Sequence, residues 1–239
     1  MALAFVQKNS SANDNSATSL AVTLNNVGAG NLIVIWAKFE GAATTISVSD
    51  GTTAFQNGTM ANHANADLHA SFAYLLIGNS GNKTFTCTFG AARPYVRLHV
   101  WEFSYSGTAS LDVQNTGTGT SANPLSGNVT TTGTDEVAVG GYGEYGGNPV
   151  SAPEINAVAA NGSTINEPAG SFAASWYRLL TATFTTGHAN VTMSNFDWIC
   201  NIISFKVAAL AGLFPPWPLR QEPRPVLPGR VSVPIIQYT

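Results

Sequence analysis

Four acidic residues carry the side chains best suited to hydrolytic chemistry: Glu102, Asp135, Glu136 and Glu144. Glycoside hydrolases use two carboxyl groups at a fixed separation, one as an acid and the other as a base or nucleophile. The spacing along this sequence does not single out such a pair, and Glu136 and Glu144 stand where one predicted strand begins and ends. We therefore expect no catalytic residue and no enzyme.

Metal and phosphate chemistry also lack a matching motif. His63 and His69, with Asp67 between them, can bind metal ions, but no further strong ligand lies nearby in that loop. The glycine-rich run 140–147 lacks the Gly-Lys-Ser/Thr of a phosphate-binding loop, so we interpret it as a flexible strand end and turn. We predict no metal site and no cofactor.

Two aromatic side chains offer a different function. Tyr142 and Tyr145 lie in the glycine-rich run, where their rings could stack on sugars. They give the alternative hypothesis of a lectin-like, carbohydrate-binding surface module.

The elements that must position these residues are strands. Along 95–105, apolar and bulky side chains alternate, with Val96, Leu98 and Val100 on one face and Trp101 and Phe103 on the other. A period of two predicts a strand, and bulky groups on both faces place it centrally between two covered faces.

The sequence also repeats. Leu20 and Leu125 are 105 positions apart, as are Leu32 and Val137. The runs 72–76 (Phe-Ala-Tyr-Leu-Leu) and 176–180 (Trp-Tyr-Arg-Leu-Leu) are similar as well. We predict a body, 1–208, built from two diverged copies of one all-β unit, about 18–107 and about 124–207.

Short strands separated by Gly and Asn turns, without a helical period, predict an all-β, jelly-roll-type β-sandwich. The details include a short first strand at 5–7, a polar lead-in at 9–16, an exposed loop at 56–68, a short strand at 111–113, and second-copy strands that include 127–132 and 181–186.

Composition narrows the choice of partners. Charged residues make up 10% of the 239 residues, against roughly 25% in an ordinary globular protein. The sequence has no cluster of basic residues of the kind that would indicate nucleic-acid binding. The apolar run 207–214 is too short to span a bilayer. Cys87 and Cys200 stand at non-equivalent places in the two copies, so we expect buried free thiols.

The last 31 residues, 209–239, differ from the rest. They contain seven of the twelve prolines and carry a net charge of +2 within a chain of net charge −3. Proline removes backbone donors, so we predict an extended Pro-rich arm with a reach of roughly 80–95 Å. Its apolar and basic side chains are the predicted partner-binding residues: Trp217, Leu219, Arg220, Arg224, Val226, Leu227, Ile235, Ile236 and Tyr238.

One stretch carries a family resemblance. The run 111–136 reads LDVQNTGTGTSANPLSGNVTTTGTDE, and the last strand of the body ends in Phe205-Lys206. Over about 5–207 the chain resembles a loosely defined group of two-repeat β-sandwich proteins of bacteria and tailed phages, in which such a stretch joins two β units. Some members look like virion surface or fibre components, and the resemblance implies no catalytic residues.

These observations favour a non-enzymatic structural protein of a phage virion, a capsid decoration or a tail or fibre component. Its partners would be other copies of itself or another virion structural protein, and surface glycans under the alternative hypothesis. The first nine residues lack the features of a secretory signal, so we expect a virion protein assembled in the host cytoplasm, with an extracellular surface as the alternative.

Overall fold

The structure is a computed structural model that describes residues 3–145, 149–165 and 173–208. This part of the chain is all-β, as predicted, apart from one turn of 3₁₀ helix at Ala64–Ala66. The strands are β1 (Ala4–Asn13), β2 (Ala17–Val27), β3 (Leu32–Glu40), β4 (Ile46–Ser49), β5 (Gln56–Asn57), β6 (Ala61–His63), β7 (Leu68–Leu76), β8 (Gly81–Arg93), β9 (Val96–Ser104), β10 (Thr108–Ser121), β11 (Glu136–Glu144), β12 (Ser151–Ile155), β13 (Val158–Ala159), β14 (Gly162–Ile165), β15 (Ala173–Leu180), β16 (Ala189–Thr192) and β17 (Phe196–Ala208).

The strands form four antiparallel sheets. Inner sheet one has the order β1-β9-β3-β7-β5, with β6 also paired to β7, and inner sheet two has the order β10-β17-β11-β15-β14. Outer sheet one is β2-β8-β4, and outer sheet two is β13-β12-β16. Chain neighbours therefore often lie in different sheets, and most pairings join residues distant in sequence.

Three hydrophobic cores fill the spaces between these sheets. Outer sheet one covers one face of inner sheet one, with Phe85 and Val100 among the buried residues. The other face of inner sheet one contacts inner sheet two, where Trp36 and Phe205 are buried. Outer sheet two covers the far face of inner sheet two around Trp176. Side chains alternate between the two faces of each inner strand, so one strand contributes apolar residues to the core on either side of it.

The central strand predicted at 95–105 is confirmed as β9. It lies between β1 and β3, and all its residues except Ser104 are buried. Val96, Leu98 and Val100 face outer sheet one, whereas Trp101 and Phe103 face inner sheet two.

Several predicted strand boundaries are wrong. β1 continues through 9–13, because the polar residues there pair with Val96 to Val100 of β9. The strand predicted at 111–113 is longer: β10 runs along β17 from Thr108 to Ser121. The predicted exposed loop at 56–68 contains β5 and β6 and buries Ala61. No strand forms at 127–132 or 181–186. These segments are joined by hydrogen bonds such as that from the backbone N of Thr131 to the carbonyl of Phe184, and Val129 forms a bridge with Gly187, just beyond the second segment.

Candidate functional site

Glu102, the first of the candidate carboxylates, is fully buried and holds three parts of the chain together. Its Oε1 accepts hydrogen bonds from the backbone N of Gly28 at 2.8 Å and from Nδ2 of Asn31 at 2.6 Å. Its Oε2 accepts one from Nε2 of Gln7. A carboxylate with three donors is a structural anchor, and here it fastens β1 and the β2–β3 turn to β9.

Glu136 lies in a second polar cluster, built mainly from residues of the 111–136 stretch. Its Oε1 accepts a hydrogen bond from the backbone N of Gly133. Asp112 accepts one from the backbone N of Thr132 at 2.7 Å and one from Nζ of Lys206 at 2.9 Å. The motif residues thus join β10, the 130–133 segment and the end of β17.

The two carboxyl groups of this cluster have opposite pKa shifts. Burial, together with the nearby Asp112 carboxylate, raises the pKa of Glu136 to about 7. Burial also raises the pKa of Asp112, but the hydrogen bonds from Thr132 and Lys206 outweigh it, so the pKa is lowered overall. At neutral pH the cluster therefore holds an ionised Asp112 beside a Glu136 that is partly protonated.

The other two candidate carboxylates stand at the two ends of β11. Glu144 is fully buried at the end of β11, opposite Trp198 of β17. Asp135 precedes β11, and its backbone carbonyl accepts a hydrogen bond from the backbone N of Val207. Glu102 and Glu136 are held in separate clusters on different inner sheets, each with its own donors.

The two candidate metal ligands His63 and His69 contact different side chains. Nδ1 of His69 is 2.7 Å from Oδ1 of Asn62, and its ring stacks on Phe39. His63 lies with Nε2 3.8 Å from Oδ1 of Asp197. Burial lowers the pKa of His69. Among the described residues, no group of three or more His, Cys, Asp or Glu side chains is arranged to hold a metal ion.

The two candidate sugar-binding tyrosines lie in different environments. Tyr142 is fully buried in β11, and its hydroxyl donates a hydrogen bond to Sδ of Met193 at 2.7 Å. This placement keeps its ring from stacking on a sugar from solvent. Tyr145 is 48% exposed just after β11.

The first five residues of the glycine-rich run, 140–144, form the end of β11, as the strand-end part of the interpretation from sequence predicted, and the last two lie outside the described residues. Gly140, Gly141 and Gly143 lie within β11 in the core. A Cβ on Gly141 would come within 2.3 Å of the Trp36 ring, and one on Gly140 within 2.4 Å of the Trp176 ring. Glycine is needed here because a large indole lies against the backbone on each face.

Sequence reasoning missed a polar set between the inner sheets. Nδ1 of His99 is 2.9 Å from Oγ of Ser175, which also accepts a hydrogen bond from Nε1 of Trp101 at 2.8 Å. Nε1 of Trp36 donates to Oδ1 of Asn201 at 3.2 Å. A serine beside a histidine can act as a nucleophile and base, but both side chains are fully buried, so the contact fixes the two sheets to each other.

Two buried charged side chains, Lys38 and Arg97, lie on β3 and β9, the strands that also carry Trp36 and His99. Lys38 pairs with Glu40, and Nη2 of Arg97 lies 2.6 Å from Oδ1 of Asp14. Burial lowers the pKa of Lys38, against the opposing effect of Glu40. Pattern reasoning could have identified Lys38 and Arg97, because each stands between two apolar residues of a strand that is mostly apolar.

A surface pocket of about 390 Å³ opens where the edges of the two inner sheets meet. Its apolar wall includes Tyr74 and Leu76 from β7, Leu111 from β10 and Phe205 from β17. Gln56 and Ser110 add polar groups. Leu76 is 43% exposed, so the pocket has an apolar rim. Its volume lies within the range of roughly 300–1,000 Å³ common for ligand pockets.

The opposite edges of the inner sheets show a similar arrangement that is filled. There Tyr177 of β15 contacts Phe103 of β9, as Tyr74 of β7 contacts Phe205 of β17. Phe5 of β1 stacks on Tyr177, with ring centroids 5.1 Å apart and an interplanar angle of 19°. At the pocket, Leu111 takes the strand position that Phe5 has at the filled site.

Neither models of known protein families nor characterised proteins match this chain. Within the described residues, no helix has the length and apolar character needed to cross a membrane. The predicted partner-binding residues of the arm, from Trp217 to Tyr238, lie outside the described residues.

Proposed function

We propose that this protein is a non-enzymatic structural component of a virion, a capsid decoration or a tail or fibre component. The observation that carries the proposal is the strand order of inner sheet one, β1-β9-β3-β7, opposite β2-β8-β4 of outer sheet one. Strands that alternate between two facing sheets in this way are typical of a jelly roll, an architecture frequent in viral capsid proteins and in lectins. The step from fold to function is an analogy.

We also propose that the body consists of two diverged jelly-roll copies. The orders β1-β9-β3-β7 and β10-β17-β11-β15 match position by position. Two rows of paired residues illustrate the match: Phe5, Phe103, Leu32 and Leu76 in the first, and Leu111, Phe205, Val137 and Leu179 in the second.

Two irregular features occur at matching places and support the same proposal. The register of β1 shifts between Phe5 and Gln7, and that of β10 shifts between Leu111 and Gln114. The backbone N of Gly28 and that of Gly133, 105 positions later, each donate to a buried glutamate, although the acceptors, Glu102 in β9 and Glu136 in β11, are not at equivalent positions.

In the proposed mechanism the four-sheet body is the block displayed on the assembly, and the arm anchors it to neighbouring subunits. The charged and polar side chains discussed above are engaged in contacts within the body, as an inert building block requires. The arm brings apolar side chains and a net charge of +2 to bodies that carry −5. Opposite charge favours encounter, and burial of arm side chains would supply affinity.

The test compares the full chain with a variant whose arm is weakened by Trp217→Ser, Ile235→Ser and Ile236→Ser. Light scattering over a range of concentrations measures the mass of each. We expect the unaltered chain to associate and the arm variant to remain a monomer with an unchanged circular dichroism spectrum. A variant with Tyr145→Ser serves as the control, because it removes an exposed aromatic of the body.

Two identical monomers at all concentrations would contradict association of the chain with itself. Binding of glycans by the unaltered chain, lost in Tyr145→Ser, would then favour the carbohydrate-binding alternative.

A further inference from the structure

We propose that the pocket between Tyr74 and Phe205 is the receptor for the arm of a second copy, and that Trp217 is the side chain it takes. This inference rests on the proposed function, because it names the surface to which the arm binds. The pocket and the residues around it belong to the body alone.

The first argument is the missing aromatic ring. At the filled site, Phe5 stacks on Tyr177 and also contacts Phe103 at a centroid distance of 6.3 Å. At the pocket, Tyr74 and Phe205 are 4.9 Å apart, but Leu111 stands in place of the phenylalanine. A leucine is smaller than an aromatic ring, and the space beside it is open. The chemistry of the walls therefore fits an aromatic side chain.

The second argument is the supply of such a ring. Tryptophan is the residue type most enriched at the energetic centres of interfaces, since it buries a large area at a low entropic cost. Within 209–239 the sequence has a single tryptophan, Trp217, flanked by Pro215, Pro216 and Pro218. Prolines hold a segment extended before it binds, which lowers the entropy lost on docking.

The third argument concerns which copy supplies the ring. Ala208, the last residue of β17, pairs with Thr108, and the next residue of β10, Ala109, lines the pocket. The pocket thus lies beside the point at which β17 ends. Nine residues of extended chain carry Trp217 roughly 28 Å from Ala208, at about 3.1 Å per residue. Under the proposed function the arm binds neighbouring subunits, so a neighbouring copy is the favoured receptor.

Disulfide trapping between two full-length variants tests the proposal. One variant carries Leu76→Cys at the rim of the pocket, and the other carries Leu219→Cys two residues beyond Trp217. The natural thiols of Cys87 and Cys200 are buried and do not compete. A matched control replaces the pocket variant with Leu125→Cys, because Leu125 is 42% exposed, close to the 43% of Leu76, but does not line the pocket.

We expect the mixture of Leu76→Cys and Leu219→Cys to give a cross-linked band of about twice the 24.9 kDa chain mass, at least fivefold stronger than with Leu125→Cys. Adding Trp217→Ala to the Leu219→Cys variant should weaken the cross-linked band to the level seen with Leu125→Cys. Adding Leu111→Phe to the pocket variant should reduce it by a similar factor, because the new ring can fill the pocket as Phe5 fills the other site. Leu111→Phe adds an apolar ring beside open space, so the variant should fold.

The outcomes separate this inference from the proposed function. Equal cross-linking at Leu76→Cys and Leu125→Cys overturns the pocket as receptor, even if light scattering still shows association through the arm. A double variant that carries both Leu76→Cys and Leu219→Cys completes the test: if it forms a link within one chain while the mixture forms none, the second copy is overturned as donor. Absence of any arm-dependent association overturns the proposed self-assembly together with this inference.

Discussion

Tyr74 packs edge-on against Phe205 across the two inner sheets, with ring centroids 4.9 Å apart and an interplanar angle of 65°. On the opposite edges, Tyr177 packs against Phe103 at 5.3 Å and 73°. Each inner sheet therefore contributes one tyrosine and one phenylalanine to the contact between the sheets. These reciprocal pairs flank the core around Trp36 and Trp101.

Phe205→Ala should lower the free energy of unfolding by about 3–5 kcal/mol, the usual range for a buried phenylalanine, because it leaves a void between the inner sheets. Urea unfolding followed by tryptophan fluorescence measures the change. Phe196→Ala on the same strand is the control, since Phe196 is 36% exposed and should matter by less than about 1 kcal/mol. Equal effects of both substitutions would contradict the assignment of Phe205 to the shared core.

Gly141→Ala should lower the free energy of unfolding by about 1–3 kcal/mol or more, because the new methyl group would overlap the buried Trp36 ring. Gly78→Ala is the matched control: a Cβ there has nothing within 4 Å. That substitution should be neutral or slightly stabilising, since alanine restricts the unfolded chain. Thermal melting of both variants gives the comparison, and a neutral Gly141→Ala would show that Trp36 can move aside.

Glu136 should make the protein less stable as the pH rises from about 4.5 to 7. Its pKa is about 7 in the folded protein and 4.5 ordinarily, so the folded state binds the extra proton in this window. The stabilisation is fully present below the ordinary pKa and is lost as the pH passes through the folded one. The charged neighbours are Asp112, whose lowered pKa places its own titration below 3.8, and Lys206.

Urea unfolding at pH 5, 6, 7 and 8 tests this pH dependence against Glu136→Gln. The amide can accept from the backbone of Gly133 and donate toward Asp112, as a protonated glutamic acid would. We expect the variant to lose most of the decline in stability between pH 5 and 7. An identical decline in both proteins would assign it to another group.

Cys87 and Cys200 should not react with a thiol reagent such as DTNB in the folded protein. Both are buried, and burial raises the pKa of Cys87 to about 12 and raises that of Cys200 as well, so little thiolate forms at neutral pH. Two thiols should become reactive in guanidinium chloride. Rapid release of one equivalent under native conditions would contradict the burial of that cysteine.

Strand periodicity predicted the all-β class and both faces of β9, because bulky side chains alternate there without interruption. It failed for β10 and for the second half of β1, where Thr, Ser, Asn and Gly give no hydrophobic pattern. Those segments are strands because β17 and β9 offer their backbone groups as partners. Such pairing is a tertiary effect that local sequence does not encode.

The candidate site was harder to predict for a related reason. The donors to Glu102 come from Gln7, Gly28 and Asn31, as many as 95 positions away, so spacing along the chain could not show that its carboxylate is engaged. The pocket depends on the meeting of β7 with β10 and β17, which only the three-dimensional arrangement places together.

Pairing in the structure also favours a different alignment of the proposed copies from the one read from sequence. The sequence aligned Phe72 with Trp176, but Tyr74 pairs with Val34 as Tyr177 pairs with Val139, which aligns Phe72 with Ser175. A shift of one residue in a strand reverses its faces. The alignment based on pairing places both tyrosines between the inner sheets, where they contact Phe205 and Phe103.

The connection between β9 and β10 is only three residues long, 105–107, yet it joins two halves whose inner sheets bury a core against each other. If this connection extends, the second half of one chain can lie on the first half of another with every core contact preserved. The fold is therefore suited to domain swapping, in which two chains exchange halves and form an intertwined dimer. Such dimers would be slow to separate, because each must reopen its shared core before the chains can part.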